Sequence, residues 1–268
     1  MPSRSRTEIQ STRAAQAGGA ALLVGGLVLL ALAVLAGAGR TRMTATLAGA
    51  LIYAIIVSMM LRGLKSHAPH ARFGLANRVT LLRAGIATVL AAIAIEGLAG
   101  GYNGLGLGMA GAGAAWTWGV VSAAVLGLAL DGVDGWLARR LDLTSAFGAR
   151  FDMEVDAFSV LALSMLVLVS GRAGGWVLLI GLMRYVFIGL GWIWPALAAP
   201  LPPSFRRQAI CVLTTIALLV ALLPAMRPAE AGILLGSALA ALAWSFGVDT
   251  LTLLTRGRAR RTAVNTAN

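Results

Sequence analysis

The sequence has little charge and almost no cysteine. Only 12% of its 268 residues are charged, 59% are hydrophobic, and the mean hydropathy is +0.84. A soluble domain needs roughly twice that share of charge to cover its surface, so this composition excludes an ordinary soluble enzyme. The single cysteine, Cys211, cannot form an internal disulfide. It lies in an apolar run, where we interpret it as a packing residue.

Long apolar runs take the place of the missing charge. Eight of them approach or exceed the roughly 20 residues that a helix needs to cross a bilayer. They cover residues 17–39, 44–61, 79–98, 114–130, 157–170, 175–194, 209–224 and 231–254. The first run is too long for the apolar part of an ordinary signal peptide, so we interpret it as a span. The sequence therefore predicts an all-α integral membrane protein.

The basic residues predict its orientation, because basic loops stay in the cytoplasm. If the N-terminus is cytoplasmic, the outer loops hold few of the 22 Lys and Arg residues, namely Arg40, Arg42, Arg172 and Arg227. Both termini are therefore expected in the cytoplasm, with the protein in a bacterial inner membrane. The net charge of +12 does not indicate a nucleic-acid partner, since the basic residues are scattered and form no recognisable nucleic-acid motif. Attraction to anionic lipid explains this charge more simply.

Acidic residues are rare but clustered. Six of the ten lie between Asp131 and Asp156, at the expected cytoplasmic ends of the fourth and fifth spans. Asp131 and Asp134 are three positions apart and Asp152 and Asp156 are four apart, so each pair shares one face of a helix. Carboxylates so close together near a membrane repel one another, which favours bound cations. Ligands that are all oxygen suit Mg²⁺ or Mn²⁺.

The residues between the acids indicate a phosphate substrate. Gly135, Gly148 and Ala138 have little or no side chain, so a ligand or a neighbouring helix can approach the backbone closely. Arg139 offers a planar fork that suits phosphate oxygens. Carboxylates, metal and arginine together predict displacement at the phosphorus of a phosphate or diphosphate. These residue types do not distinguish one diphosphate from another.

The same stretch resembles the CDP-alcohol phosphotransferase family, whose signature is D-x2-D-G-x2-A-R-x8-G-x3-D-x3-D. Eight residues match it position for position: Asp131, Asp134, Gly135, Ala138, Arg139, Gly148, Asp152 and Asp156. A second segment is similar to the family's PN-x-x-T-x-x-R at Asn77, Thr80 and Arg83, although Ala76 stands where family members often have proline.

The resemblance implies a fold and an activity. The fold is a six-helix membrane core at residues 71–268, usually a homodimer, here preceded by an extension at residues 1–70 with about two extra transmembrane helices. The activity is transfer of a phospho-alcohol group from a CDP-linked donor to an acceptor hydroxyl, with release of CMP. CDP-diacylglycerol is the expected donor and a small alcohol is the expected acceptor.

The resemblance also implies a role for each matched residue. Two Mg²⁺ or Mn²⁺ ions are held by four aspartates, Asp131, Asp134, Asp152 and Asp156. Asp156 is in addition the general base that takes the proton of the acceptor hydroxyl. The nucleotide is bound by the other matched residues, namely Gly135, Ala138, Arg139, Gly148, Asn77, Thr80 and Arg83. Asp142 and Glu154 match no fixed position and are interpreted as solvated.

Three arginines are candidates for the acceptor site. Arg184 lies within the sixth span, where a charge is costly unless it faces a polar cavity or partner. Together with Arg206 and Arg207 it could bind a phosphate on an acceptor such as glycerol 3-phosphate. Other interpretations stay open, namely transfer of a CDP-linked headgroup to diacylglycerol, transport of divalent ions, or a non-catalytic scaffold. A transporter predicts acids deep in several spans, and a scaffold predicts the loss of at least one aspartate.

Overall fold

A computed structural model describes residues 6–67, 73–100, 112–140, 145–199 and 204–266. The described ranges are 89% helical and contain no strand. The eight α-helices in these ranges are α1 Arg6–Gly37, α2 Met43–His67, α3 Leu75–Gly100, α4 Ala112–Arg140, α5 Ala146–Val169, α6 Leu178–Ile193, α7 Phe205–Ala221 and α8 Pro228–Thr266. Short 3-10 turns lie at Gly175–Val177 and Pro195–Ala198. The expected all-α fold is confirmed.

Within the described ranges, six helices are long and apolar enough to cross a membrane, and the chain is an integral membrane protein. These six are α1, α2, α3, α4, α6 and α8, with the turn before α6 included in its span. The other two expected spans fall in α5 and α7. Helix α5 begins with a charged half, and α7 has only 17 residues, so each is a weaker candidate on length and composition.

Helix α3 lies at the centre of the molecule. Its span is 72% buried inside the protein, against 22% or less for the five others, and it contacts α1, α2, α4 and α5. Small residues permit this, since close approach of helices in a membrane depends on them. At Gly85, a Cβ atom would lie only 2.9 Å from Val24 Cγ1 of α1. The centre of the fold is therefore a helix with neighbours on most sides.

Two hydrophobic clusters hold the helices together. One joins α3 to the helices that follow it, and the other joins α1 and α2 to α3 and to the start of α5. Polar contacts at both ends support the second cluster. Arg13 Nη2 donates to the Leu64 carbonyl at 3.2 Å, and Arg42 Nε pairs with Glu96 Oε1 at 3.0 Å. The two N-terminal helices therefore pack directly on the later helices, and the division into residues 1–70 and 71–268 stays a prediction.

Candidate active site

Four charged side chains from three helices meet at one end of the bundle. Arg83 comes from α3, Asp131 from α4, and Asp152 and Asp156 from α5. One carboxylate oxygen from each aspartate lies within 4.8 Å of the others. Arg83 is 4% exposed; its Nη2 is 2.6 Å from Asp131 Oδ1, its Nη1 is 2.6 Å from Asp152 Oδ1, and it also pairs with Asp156. The structure thus brings together three of the four aspartates expected to bind metal.

Local sequence explains how α5 presents its two aspartates. Ser145 caps the helix, because its side chain accepts a hydrogen bond from the Gly148 amide at 2.9 Å. Asp152 and Asp156 follow one and two turns later, and their spacing of four places both on the face that meets Arg83. Asp131 lies near the end of the apolar span Ala115–Val133. The cluster is therefore at one end of the spans, as the sequence predicted.

The charges of this cluster fit a divalent ion. Three carboxylates face a single guanidinium, so the cluster has an excess of negative charge when the carboxylates are ionised. Its ligands are all oxygen, which hard ions such as Mg²⁺ and Mn²⁺ prefer. Asp156 precedes the fifth expected span, and burial raises its pKa to about 7; Arg83 opposes this rise, and the neighbouring carboxylates of Asp131 and Asp152 add to it.

The fourth aspartate lies on the same helix as the first. Asp134 follows Asp131 by three residues in α4, and Gly135, Ala138 and Arg139 continue that helix. The side chains of Asp134, Ala138 and Arg139 are outside the described part of the structure. Their assignment to metal and nucleotide stays a prediction.

Two of the expected nucleotide segments lie side by side. A Cβ atom at Gly148 would be 2.9 Å from Asn77 Oδ1 and 3.1 Å from Ser145 Oγ, so this position has no room for a side chain unless those groups move. Thr80 is buried and donates to the Ala76 carbonyl at 3.1 Å within α3. Arg83 belongs to the same segment and pairs with the aspartates. A side chain at position 148 would therefore displace the Asn77 amide or the Ser145 hydroxyl.

An apolar cavity begins at the aspartates. It has a volume of about 70 Å³ and is lined by Arg83, Asp131 and Asp156 together with apolar residues of α3, α4, α5 and α7, such as Leu128 and Val160. A site whose polar groups lie at one side of an apolar cavity suits a substrate that is part phosphate and part hydrocarbon. Cys211 also lines this cavity, where its side chain is exposed.

Arg184 has a partner that sequence reasoning missed. Its Nη2 donates to Glu154 Oε1 at 2.5 Å, whereas its buried Nε has no hydrogen-bond partner in the described part of the chain. Glu154 is thus half-buried and paired rather than solvated. No local sequence pattern predicts this pair, because its members are 30 positions apart on different helices.

The other two candidate arginines contact α8. Arg206 donates to the Ser245 carbonyl at 2.7 Å and to Asp249 Oδ1 at 2.6 Å, and it stacks over Trp244 with 5.4 Å to the ring centroid. Arg207 Nη1 is 3.8 Å from Asp249 Oδ2. These contacts fasten α7 to α8. They lend no support to a role in acceptor binding, which stays a prediction for both residues.

The comparison with protein families decides the class of this site. The model of the CDP-alcohol phosphatidyltransferase family matches residues 73–248. The chain belongs to this family. The family is one of transferases that use a CDP-alcohol as donor, and its members use divalent metals. The match begins just before α3 and ends within α8, so it includes the aspartate cluster and leaves α1 and α2 outside. No solved structure matches the chain.

Proposed function

We propose that this protein transfers the phosphatidyl group of CDP-diacylglycerol to the hydroxyl of a small alcohol in phospholipid biosynthesis. Membership in the family indicates that the donor is a CDP-alcohol and that the reaction is a transfer of its phospho-alcohol group. The observation that supports a lipid-linked donor is the apolar cavity that begins at the aspartates. A diacylglycerol group attached to the diphosphate would find apolar surface next to the carboxylates, within the membrane that holds both.

The aspartates have two roles in the proposed reaction, binding of metal ions and removal of a proton. Two divalent ions, Mg²⁺ or Mn²⁺, would be held by Asp131, Asp134, Asp152 and Asp156. When bound, such ions neutralise the donor diphosphate and stabilise the charge that develops at phosphorus. Asp156 takes the proton of the acceptor hydroxyl, the role that the resemblance to the family implies for it. A bond forms between the acceptor oxygen and the phosphorus of the phosphatidyl group, the bond to the CMP oxygen breaks, and CMP leaves.

The two segments that resemble the family's motifs would hold the nucleotide while this exchange takes place. Asn77 and Gly148 are already in close approach, and Arg83 lies among the metal aspartates. We assign binding of the cytidine nucleotide to these residues and to the others of both segments, namely Gly135, Ala138, Arg139 and Thr80.

The acceptor in this proposal is a phosphorylated polyol such as glycerol 3-phosphate. Arg184 supports it, because Glu154 orients the guanidinium while the buried Nε has no acceptor oxygen among the residues that the structure describes. A buried donor without a partner costs roughly 1–3 kcal/mol, which an acceptor phosphate would recover. Arg206 and Arg207 are the remaining candidates for this phosphate, although both are engaged by Asp249.

The proposal includes the setting of the enzyme. The expected arrangement is a homodimer in a bacterial inner membrane, with the aspartates and both termini on the cytoplasmic side. The support for this orientation is the scarcity of basic residues in the outer loops. The dimer is proposed because the resemblance to the family implies a homodimer.

The test is an acceptor survey with purified enzyme. Labelled CDP-diacylglycerol is supplied with Mg²⁺ or Mn²⁺, each acceptor is offered separately, and CMP and the lipid product are both measured. We expect turnover with glycerol 3-phosphate and none with the Asp152→Asn variant. Turnover with serine or choline but not with phosphorylated acceptors would refute the acceptor. Turnover only when a CDP-linked headgroup meets diacylglycerol would place the lipid on the acceptor, and full activity of Asp152→Asn would refute the metal assignment.

A further inference from the structure

A second and larger cavity lies away from the aspartates. Its volume is about 420 Å³, and it is formed by α2, α5 and α6. Most of its wall is apolar and comes from α2 and α5: Ile52, Ile56, Met60, Phe151, Val155 and Phe158. Its polar residues are Arg150, Glu154 and Tyr185. Helix α2 precedes the family match, so one wall of this cavity is specific to the N-terminal extension.

The two cavities use different faces of α5. Asp152 and Asp156 meet Arg83 on one face, whereas Phe151 and Val155 line the larger cavity on another. The larger cavity is therefore separate from the site at which the donor and the metal ions are proposed to bind. It is nevertheless built on the helix that carries two of the metal aspartates.

The dimensions of the larger cavity fit a lipid chain. Its lining residues extend from Ile52 to Gly63 on α2 and from Phe147 to Phe158 on α5. At 1.5 Å per residue, each wall is on the order of 16 Å long. One leaflet of the hydrocarbon core is about 15 Å thick, half of the full 30 Å. A single acyl chain of one leaflet therefore matches the length of the groove.

The charges at the cavity favour an anionic headgroup. Arg150 is exposed and lies near the start of α5, beside the end of α2 where Gly63 lines the same cavity. The nearby acid, Glu154, is paired with Arg184 at 2.5 Å. Glu154 therefore does not form an ion pair with Arg150. Basic residues at a membrane surface attract anionic lipid.

We propose that the N-terminal extension and α5 form a binding site for one anionic phospholipid, separate from the donor site. One acyl chain lies between α2 and α5, and the phosphate of the headgroup binds Arg150. A ligand that binds only the folded state stabilises that state. The bound lipid therefore stabilises the packing of α2 against α5. The extension thereby ties the packing of a catalytic helix to the lipid composition of the membrane.

The test measures binding rather than turnover. The purified protein is stripped of lipid in detergent, and dioleoylphosphatidylglycerol or dioleoylphosphatidylcholine is added back. Native mass spectrometry counts bound lipids, and thermal unfolding reports stabilisation. Ile52→Trp fills the cavity, and Leu51→Trp is its matched control, because Leu51 is the next residue on α2, is 61% exposed and does not line the cavity. Arg150→Gln removes the charge without filling the cavity.

We expect the native protein and Leu51→Trp to bind one phosphatidylglycerol at least tenfold more tightly than phosphatidylcholine. Ile52→Trp should lose this lipid, and Arg150→Gln should lose only the preference for the anionic headgroup. Equal binding by Ile52→Trp and Leu51→Trp would show that the lipid is annular and would overturn the proposal. So would a change of oligomeric state in Ile52→Trp with no loss of lipid, because a second copy would then cover the groove. Since no step requires catalysis, failure here is distinct from failure of the proposed transferase activity.

Discussion

Arg83 balances the charge of the aspartate cluster. Its guanidinium is 4% exposed and pairs with Asp131, Asp152 and Asp156, whose side chains are 30–40% exposed. Without a cation between them, three carboxylates whose oxygens lie within 4.8 Å of one another repel. A bound divalent ion and Arg83 therefore serve the same electrostatic need. They differ in that the arginine is attached to the central helix and is always present.

This shared role predicts how Arg83→Gln behaves. In metal-free buffer we expect a loss of about 1–3 kcal/mol in the free energy of unfolding, less than for a fully buried pair because the carboxylates are partly solvated. Added Mg²⁺ or Mn²⁺ should recover much of this loss and should stabilise the variant more than the native protein. Thermal unfolding in detergent with and without metal measures both effects. A loss that metal does not alter would mean that Arg83 acts by packing alone.

Asp156 is the residue at which binding and chemistry can be separated. The Asp156→Asn variant keeps the shape of the side chain and an oxygen that accepts from Arg83, but it cannot take up a proton. We expect donor binding to persist while turnover falls about 10²–10⁴-fold, the usual contribution of a general base. Steady-state kinetics together with direct binding of the CDP-linked donor provide the measurement.

A control for Asp156 lies one turn further along the same helix. Ser159 lines the same cavity, but its hydroxyl is bonded to the Val155 carbonyl at 2.8 Å, so Ser159→Ala should keep turnover. Parallel loss of donor affinity and rate in Asp156→Asn would instead identify Asp156 as chiefly a metal ligand.

At the scale of helices, the contact of α5 with α6 fixes two parts of the site. Helix α5 carries Asp152 and Asp156, and α6 carries Arg184. The two helices are in close contact at Gly181, where a Cβ atom would lie 2.6 Å from Leu161 Cα. Because that atom belongs to the backbone of α5, no side-chain rotation relieves the clash. The helices must separate or shift if Gly181 acquires a side chain.

Gly181→Ala should therefore destabilise the protein by about 1–3 kcal/mol, the usual cost of overpacking. The matched control is Gly189→Ala on the same helix, where a Cβ atom has no neighbour within 4 Å. Alanine is the better helix former, so the control should be neutral or slightly stabilising. Thermal unfolding of both variants in the same detergent gives the comparison. Equal stability of the two would show that α5 and α6 are not in close contact at Gly181.

Features that depend on local spacing could be predicted from the sequence, and features that depend on contacts between helices could not. Apolar runs of sufficient length located the helices, and spacings of three and four placed the aspartates on common faces. Arg83 was assigned to the nucleotide because its segment suggested it, yet it meets carboxylates 48 to 73 positions away. Glu154 with Arg184, and Arg206 with Asp249, are likewise joined only by the packing of helices. Such pairs leave no periodic signal in a single sequence.

At the scale of the whole molecule, two groups of charges mark opposite ends of the bundle. The aspartate cluster lies at the end that the sequence predicts to be cytoplasmic. Near the other predicted end, Glu96 is buried and accepts from the Arg42 amide at 2.7 Å while pairing with its side chain. Apolar helices connect the two groups. The orientation of the protein thus decides on which side of the membrane CDP-linked donors must be supplied.

Single cysteines can establish this orientation and can show whether α5 and α7 cross the membrane. In a Cys211→Ser background the protein has no other cysteine. New cysteines are placed at Ala38, Gly174 and Arg227, exposed positions in turns that are expected outside, and at Asn265 near the C-terminus. In intact cells a membrane-impermeant maleimide should label the first three, and Asn265→Cys should react only after the membrane is opened. Protection of Gly174→Cys would mean that α5 does not cross, and labelling confined to Asn265→Cys would reverse the orientation and place the aspartates outside.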